Sequence, residues 1–338
     1  MKIVSKLTAM SLVLVLTACS GGVKPNTQPD WISGSARQYP SGQYLTGRGS
    51  SARLDDASDR ARADLAKIFE VEISEASQDL QEYQQESDDE GQSSNTSLKV
   101  TRDIEVRTGR VLHGVEIAES WRDPDNGMFY ALAVLKRQPA AQVLRDEINR
   151  RDDEAQRYIA DARREQDMLD RIAAASKAVD TQVERAYLQR TLGIIVPGDR
   201  TVPRWPLARL RADRDALLQQ LVFGTAASGN HADDLAPLLT SAIAQAGFGV
   251  QADRSPQYWL EATLDLDDPV YRDGWYWIRG TLGLTLLNPD KTVRGVKRWP
   301  IKSSAQKSDA SFRRMLDQVD TILKKDLRST VISFAGDT

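Results

Sequence analysis

Residues able to do chemistry are few in this chain and lie far apart. Cys19 is the only cysteine, and the two histidines, His113 and His231, fall in different halves. No HExxH, CxxC or clustered His/Asp set occurs, so the ligand spacing of a zinc site is missing. No GxSxG elbow is present, and a Ser/His pair would need a serine brought to one of those two histidines. Gly47-Arg48-Gly49-Ser50-Ser51-Ala52 fits the GxGxxA dinucleotide fingerprint between a strand-like and a helix-like stretch. That fingerprint needs a parallel βαβ unit, and the segments downstream read as an antiparallel sheet, so the run is read as a tight structural turn. Asp265, Asp267 and Asp268 form a carboxylate cluster ahead of Pro269. Paired carboxylates cleave glycosidic bonds only at a defined separation in a cleft. Here they end a strand and enter a turn, where aspartate is common. The chain is therefore expected to hold no metal and no cofactor and not to be an enzyme. Glycan hydrolysis by Asp265 and Asp267 is the rival.

Cys19 has a different chemistry. It closes Leu16-Thr17-Ala18-Cys19 after an apolar stretch that begins near Leu7 and is preceded by Lys2 and Lys6. A charged start, about ten apolar residues and a small-residue cleavage site make a secretory signal, too short to span a bilayer. A plain signal would leave an odd thiol in an oxidising compartment. The run resembles the lipobox of bacterial lipoproteins, which implies cleavage before Cys19 and a multiply acylated Cys19, palmitate included. Several chains anchor stably where one does not. Ser20 follows, with no aspartate there, a pattern that in the resembling lipoproteins goes with the outer membrane.

Binding residues are sought among the aromatics. Trp275-Tyr276-Trp277 forms the densest group, with Tyr258, Trp259 and Tyr271 nearby and Trp299 on the next strand. Alternation would place Trp275 and Trp277 on one face and Tyr276 on the other. Aromatic residues pack cores and also mark interfaces and glycan-facing surfaces. Trp275, Tyr276, Trp277 and Trp299 are the candidate partner-binding residues. Arg294, Lys297, Arg298 and Lys302 could add a basic strip suited to an anionic polymer or lipid headgroup. A net charge of -3 argues against nucleic acid.

These residues need elements to position them, and 338 residues suffice for two domains with separate cores. Residues 1–18 read as the signal and 19–29 as a lipidated tether. Residues 30–138 read as a first domain. In it a helix opens at Asp55 and Asp56 with Leu54, Ala57, Ala61, Leu65 and Ile68 on one stripe. Phe69, Val71 and Ile73 suggest a half-buried strand, residues 82–97 a polar loop, and three later runs, ending with Phe129 to Leu135, further strands. Residues 139–193 lack an internal Gly or Pro and repeat apolar residues at helical steps, with charges on the other faces. One long helix, a helical hairpin and a coiled coil with a second copy all fit this pattern. Residues 194–218 read as a Pro-rich linker and a short helix. Residues 219–338 read as a second domain of two helices on a three- or four-stranded sheet. The expected class is α+β: two small helix-on-antiparallel-sheet domains joined by a long, charged helical segment.

The first domain resembles the Lpp-twenty family of bacterial outer-membrane lipoproteins. The likeness rests, in order, on Pro29-Asp30-Trp31, Tyr44-Leu45-Thr46-Gly47-Arg48-Gly49, Ala61-Arg62-Ala63-Asp64-Leu65-Ala66, Gly114-Val115-Glu116-Ile117, Trp121 and Tyr130 to Arg137. The family implies no catalytic residues, and its fold recurs in periplasmic parts of flagellar outer-membrane ring proteins. The second domain loosely resembles αβ modules of lipoproteins that activate peptidoglycan synthases or build secretion pores. The expectation is a non-enzymatic lipoprotein on the periplasmic face of the outer membrane, held to the membrane by lipid. It would act as a scaffold or binding module for envelope proteins or peptidoglycan. Alternatives are a flagellar or secretion ring accessory subunit, with self-association into a homo-oligomer, and the glycan hydrolase.

Overall fold

The computed structural model describes residues 28–34, 36–69, 114–199, 201–229, 231–249 and 255–335. The signal, Cys19, most of the tether, the expected strands around Val71 and Leu98, and His113 lie outside them. The class is α+β.

The first sheet is three-stranded and antiparallel, in the order β1 (Tyr44–Ser51), β3 (Phe129–Lys136), β2 (Glu116–Arg122). The central β3 reads Ala131-Leu132-Ala133-Val134-Leu135 because both of its faces are buried. Ala131, Ala133 and Leu135 face α2 (residues 54–69), whereas Leu132 and Val134 face Trp31 on α1 (Asp30–Ser33). The Trp31 indole N–H donates to Glu119 at 2.7 Å, and the Arg48 guanidinium donates to the Trp31 carbonyl. The N-terminal segment is thereby fixed as a lid on the back of the sheet.

Two expectations are corrected here. Gly47-Arg48-Gly49 is no turn; β1 runs straight through it. A Cβ at Gly47 would lie 2.4 Å from the Ala61 carbonyl oxygen, and one at Gly49 would lie 2.2 Å from that of Ala57. The glycines and the alanines of α2 let helix and strand touch backbone to backbone, so helix fills the space a phosphate would need. Phe69 belongs to α2 and is buried, while Leu54 and Ile68 are exposed.

The segment after β3 is an antiparallel hairpin of α3 (Arg137–Arg164) and α4 (Met168–Ile195). No Gly or Pro marks the break. Asp167 makes it, its side chain accepting from the N–H groups of Leu169 and Asp170 as an N-cap. Helix α4 enters both cores. Leu188, Leu192 and Ile195 pack into the first, and Leu169 and Ile172 into the second. From Leu169 to Leu192 is about 35 Å at helical rise. The Arg137 guanidinium donates to the carbonyls of Ile194 and Ile195, where the helix end is negative.

The sequence pattern placed the hairpin's charges on solvent faces. The structure buries several of them. Arg185 and Asp152 pair at 3.4 Å between the helices, and Gln182 donates to Asp152 at 3.0 Å. Val143, expected on the apolar stripe, is half exposed. The Pro-rich stretch is strapped along the hairpin. Arg145 donates to Asp199 at 2.8 Å, Arg185 to the Thr201 carbonyl and Arg204 to Asp153. Trp205, Leu207 and Leu210, the latter two on α5 (Leu207–Gln220), pack against Ala178 and Val179.

The second sheet consists of β4 (Phe223–Ser228), β5 (Tyr258–Leu266), β6 (Val270–Arg272), β7 (Trp275–Leu287) and β8 (Val293–Ala305). It is mixed, since β4 runs parallel to β5. The parallel pair is made through a crossover carrying α6 (Ala232–Gln245), as parallel neighbours require. Helix α6 and α7 (Ser308–Ser333) cover one face, with Leu235, Leu239, Met315, Val319 and Leu323 against Leu260, Leu282 and Leu284.

Hairpin and second domain meet at one polar joint. The Asp167 carboxylate accepts from Arg294 at 2.7 Å and from the Tyr258 hydroxyl at 2.6 Å, and Arg294 also donates to Asp170. Burial alone would raise the Asp167 pKa. The hydrogen bonds from Arg294, Tyr258 and the Asp170 N–H outweigh it and hold the carboxyl below its usual range. Burial, followed by the bond to Asp167, pushes the Tyr258 hydroxyl well above its ordinary value. A carboxylate depressed in the folded state adds stability above its unfolded pKa of about 4, and that stability fades as pH falls through the folded value. Thermal melts of the chain should therefore lose stability between about pH 5 and pH 2. Asp167→Asn, which keeps the cap, should flatten part of that slope. An unchanged slope would mean that this joint does not carry the charge.

Candidate functional site

Among the described residues no helix covers the face of the second sheet opposite α6 and α7, and β7 supplies its spine. Ile278, Leu282, Leu284 and Leu286 point into the core. By alternation Trp275, Trp277, Arg279 and Thr281 point to the open side. Register brings further residues beside them. Val270 lies opposite Trp277, and Arg272 opposite Trp275. Asp265 faces Thr281 from β5, and Pro300 and Lys302 of β8 face Thr281 and Arg279. An open groove of about 460 Å³ is lined here by Asp265, Asp267, Arg279, Thr281, Pro300 and Lys302.

Two local devices set this geometry. The first is Asp273-Gly274, both with positive φ, between the paired Arg272 and Trp275. This is the Asp-Gly signature of a two-residue hairpin, a signal present in the sequence that the pattern reading passed over. It throws the β6–β7 tip outward, leaving Val270, Tyr271 and Trp275 among the most exposed apolar side chains of the described residues. The second corrects the turn expected at Asp267-Asp268-Pro269. Leu266 pairs with Gly280 and Val270 with Trp277, so the chain carries one extra residue and continues along the same edge of β7. It is a β-bulge, pinned by the Asp267 N–H to the Arg279 carbonyl at 2.9 Å.

The four candidate aromatics do not form one cluster. Trp275 and Trp277 share the open face, and the Lys302 ammonium sits 4.5 Å from the Trp277 ring centre. Tyr276 is on the helix-covered side at the rim, 4.8 Å from the Tyr271 ring. Trp299 packs on the core, and its indole N–H donates to Asp326 of α7 at 3.1 Å. It is a structural residue and drops out of the site. The expected basic strip also divides. Arg294 is consumed by the joint with Asp167 and Asp170, while Arg298 and Lys302 stay on the open side. Arg279 and Thr281 were missed because neither residue type carries a signal in a strand until register places Arg279 across from Lys302 and Thr281 across from Asp265.

Asp265 and Asp267, the rival's carboxylates, line the same groove. Among the described residues no group of His, Cys, Asp or Glu is disposed to hold a metal ion, and no helix is long and apolar enough to cross a membrane.

Fold and face together define a two-domain α+β protein built on a helical spacer, with an open polar–aromatic sheet at one end. Residues 29–136, the first domain, match the LPP20 lipoprotein family. Among solved structures the chain is similar to the secreted protein HP1454 from Helicobacter pylori, at 13% identity and a TM-score of 0.42, covering 84% of this chain and 97% of that one. It is also similar to a candidate lipoprotein from Caulobacter crescentus CB15, at 15% identity and a TM-score of 0.28, covering 38% and 99%. A minor lipoprotein from Acinetobacter baumannii is similar at 13% identity and a TM-score of 0.26, covering 32% and 91%. No curated protein matches the chain.

Proposed function

We propose that this chain is a lipid-anchored scaffold on the periplasmic face of the outer membrane, working by contact and without catalysis. The observation that carries the reading is the entry of α4 into both cores. A spacer whose two ends are core residues holds the domains about 35 Å apart as one body, and two contact surfaces at fixed separation raise effective concentration without tight individual contacts. The LPP20 match of the domain nearest the N-terminus and the lipobox-like run ending at Cys19 support the anchor. Labelled palmitate should enter the wild-type chain in cells and be absent from Cys19→Ala; equal labelling of both would overturn the anchor. Crosslinking in intact envelopes should capture envelope partners through the second domain. Hydrolysis by Asp265 and Asp267 is a second reading, favoured by their shared groove. It predicts release of soluble sugar from purified cell-wall glycan, abolished by Asp265→Asn. The scaffold reading predicts no release.

A further inference from the structure

We infer that the open face of the second sheet binds a glycan strand bearing carboxylates, of the kind found in cell-wall peptidoglycan. The inference rests on the scaffold reading for its setting and names what one end of the scaffold holds.

Three observations carry it. First, two charged side chains of the groove are left over. Elsewhere the guanidinium groups at element junctions are engaged: Arg294 with Asp167, Arg185 with Asp152, Arg145 with Asp199, Arg137 with two carbonyls. Among the described residues, the side chains of Asp265 and Arg279 make no hydrogen bond or ion pair, although both line one groove. They stand ready for an outside donor and an outside acceptor.

Second, two indoles, Trp275 and Trp277, share this face about 7 Å apart along β7. A pyranose ring has an apolar C–H face and a rim of hydroxyls. Flat aromatic rings beside unspent donors and acceptors match both parts. Arg279 and Lys302 suit the carboxylates of acidic sugars and stem peptides, and Asp265 suits hydroxyl and amide donors.

Third, the β8 edge is closed to an added peptide strand. Pro300 offers no N–H there, the Gln318 side chain accepts from the Lys302 N–H, and Arg314 donates to the Ser304 carbonyl. Beside β8 a ligand is therefore left the face, which suits a strand recognised by its rings and substituents more than by its backbone.

The test uses the full-length chain purified in detergent, sedimented with purified peptidoglycan sacculi, and followed by tryptophan fluorescence on addition of soluble N-acetylglucosamine–N-acetylmuramic acid oligomers. Wild type should sediment with sacculi. Trp277→Ala and Arg279→Ala should each bind about tenfold more weakly, as expected for loss of one stacking or charged contact. Thr285→Ala, on the same strand outside the groove, should bind as wild type. Chitotetraose, which lacks the lactyl carboxylate, should bind about tenfold more weakly than the acidic oligomer. Trp277 is half-buried, so Arg279→Ala and Asp265→Ala, on exposed side chains, keep the test decisive if Trp277→Ala does not fold. Absence of wild-type sedimentation, groove variants that bind like wild type, or photocrosslinks from position 279 that reach only protein would each overturn the inference. None of these results bears on palmitate labelling, so the anchor stands or falls separately.

Discussion

Gly49→Ala is expected to destabilise the first domain by about 3 kcal/mol or more, the upper end for an overpacked site. The new Cβ would sit 2.2 Å from the Ala57 carbonyl oxygen, 2.3 Å from the Ala61 nitrogen and 2.8 Å from the Arg60 carbonyl carbon. All three are backbone atoms, so no side chain can swing aside, and α2 must lift from β1. Lifting α2 exposes Ala57, Ala61, Leu65 and Phe69, which are buried against β3 and the hairpin. Gly47→Ala should act similarly, because its Cβ would meet Ala61 and Leu65 backbone at 2.4 and 2.5 Å. In calorimetry the first domain should melt about 10 °C lower or fail to fold. Gly193→Ala is the control. It lies in α4 with open space around it, and it should raise stability by about 0.5–1 kcal/mol through helix propensity. A loss below about 1 kcal/mol at Gly49 would mean that strand and helix do not lie this close.

Asp152→Ala should cost about 3–5 kcal/mol, the range for breaking a buried ion pair from one side. The Arg185 side chain is 3% exposed and that of Asp152 4%, so removing the carboxylate strands a guanidinium between two helices. Gln182 loses its acceptor as well, and among the described residues Arg185 keeps the Thr201 carbonyl as its acceptor. The joint replacement Asp152→Leu with Arg185→Met should recover most of the loss or exceed wild type, because neither charge then needs solvation. Urea unfolding of the single and double variants measures this. Additive losses in the double variant would show that the two residues do not act as a pair.

Short-range pattern was legible wherever a residue's neighbours in the chain decide its place. The apolar run of β3, the alanine face of α2, the run of β7 and the amphipathic α7 were read from local pattern alone. Gly247 ending α6 also followed, since its φ of 79° is a conformation glycine adopts without strain. Reading failed where a partner distant in sequence decides. Gly47 and Gly49 look like turn residues locally, and only α2 lying on them explains a strand there. Trp299 and Trp277 are the same residue type on adjacent strands, yet register sends one under α7 and the other into the open. Asp152 and Arg185 look like surface charges of a helix until the opposite helix meets them.

By itself the amino-acid sequence determined the α+β class of this protein, the family likeness of its first domain and the location of most helices and strands. Those follow from side-chain periodicity and backbone preference, which act over a few residues. Tertiary structure alone decided that the central segment folds back on itself, that its second helix threads both cores, and that Asp265, Arg279, Lys302 and Trp277 share one face that no described helix covers. Those outcomes depend on contacts between residues tens to more than a hundred positions apart, such as Asp167 with Arg294. Their energies arise only once the chain has closed on itself, so local pattern carries no trace of them.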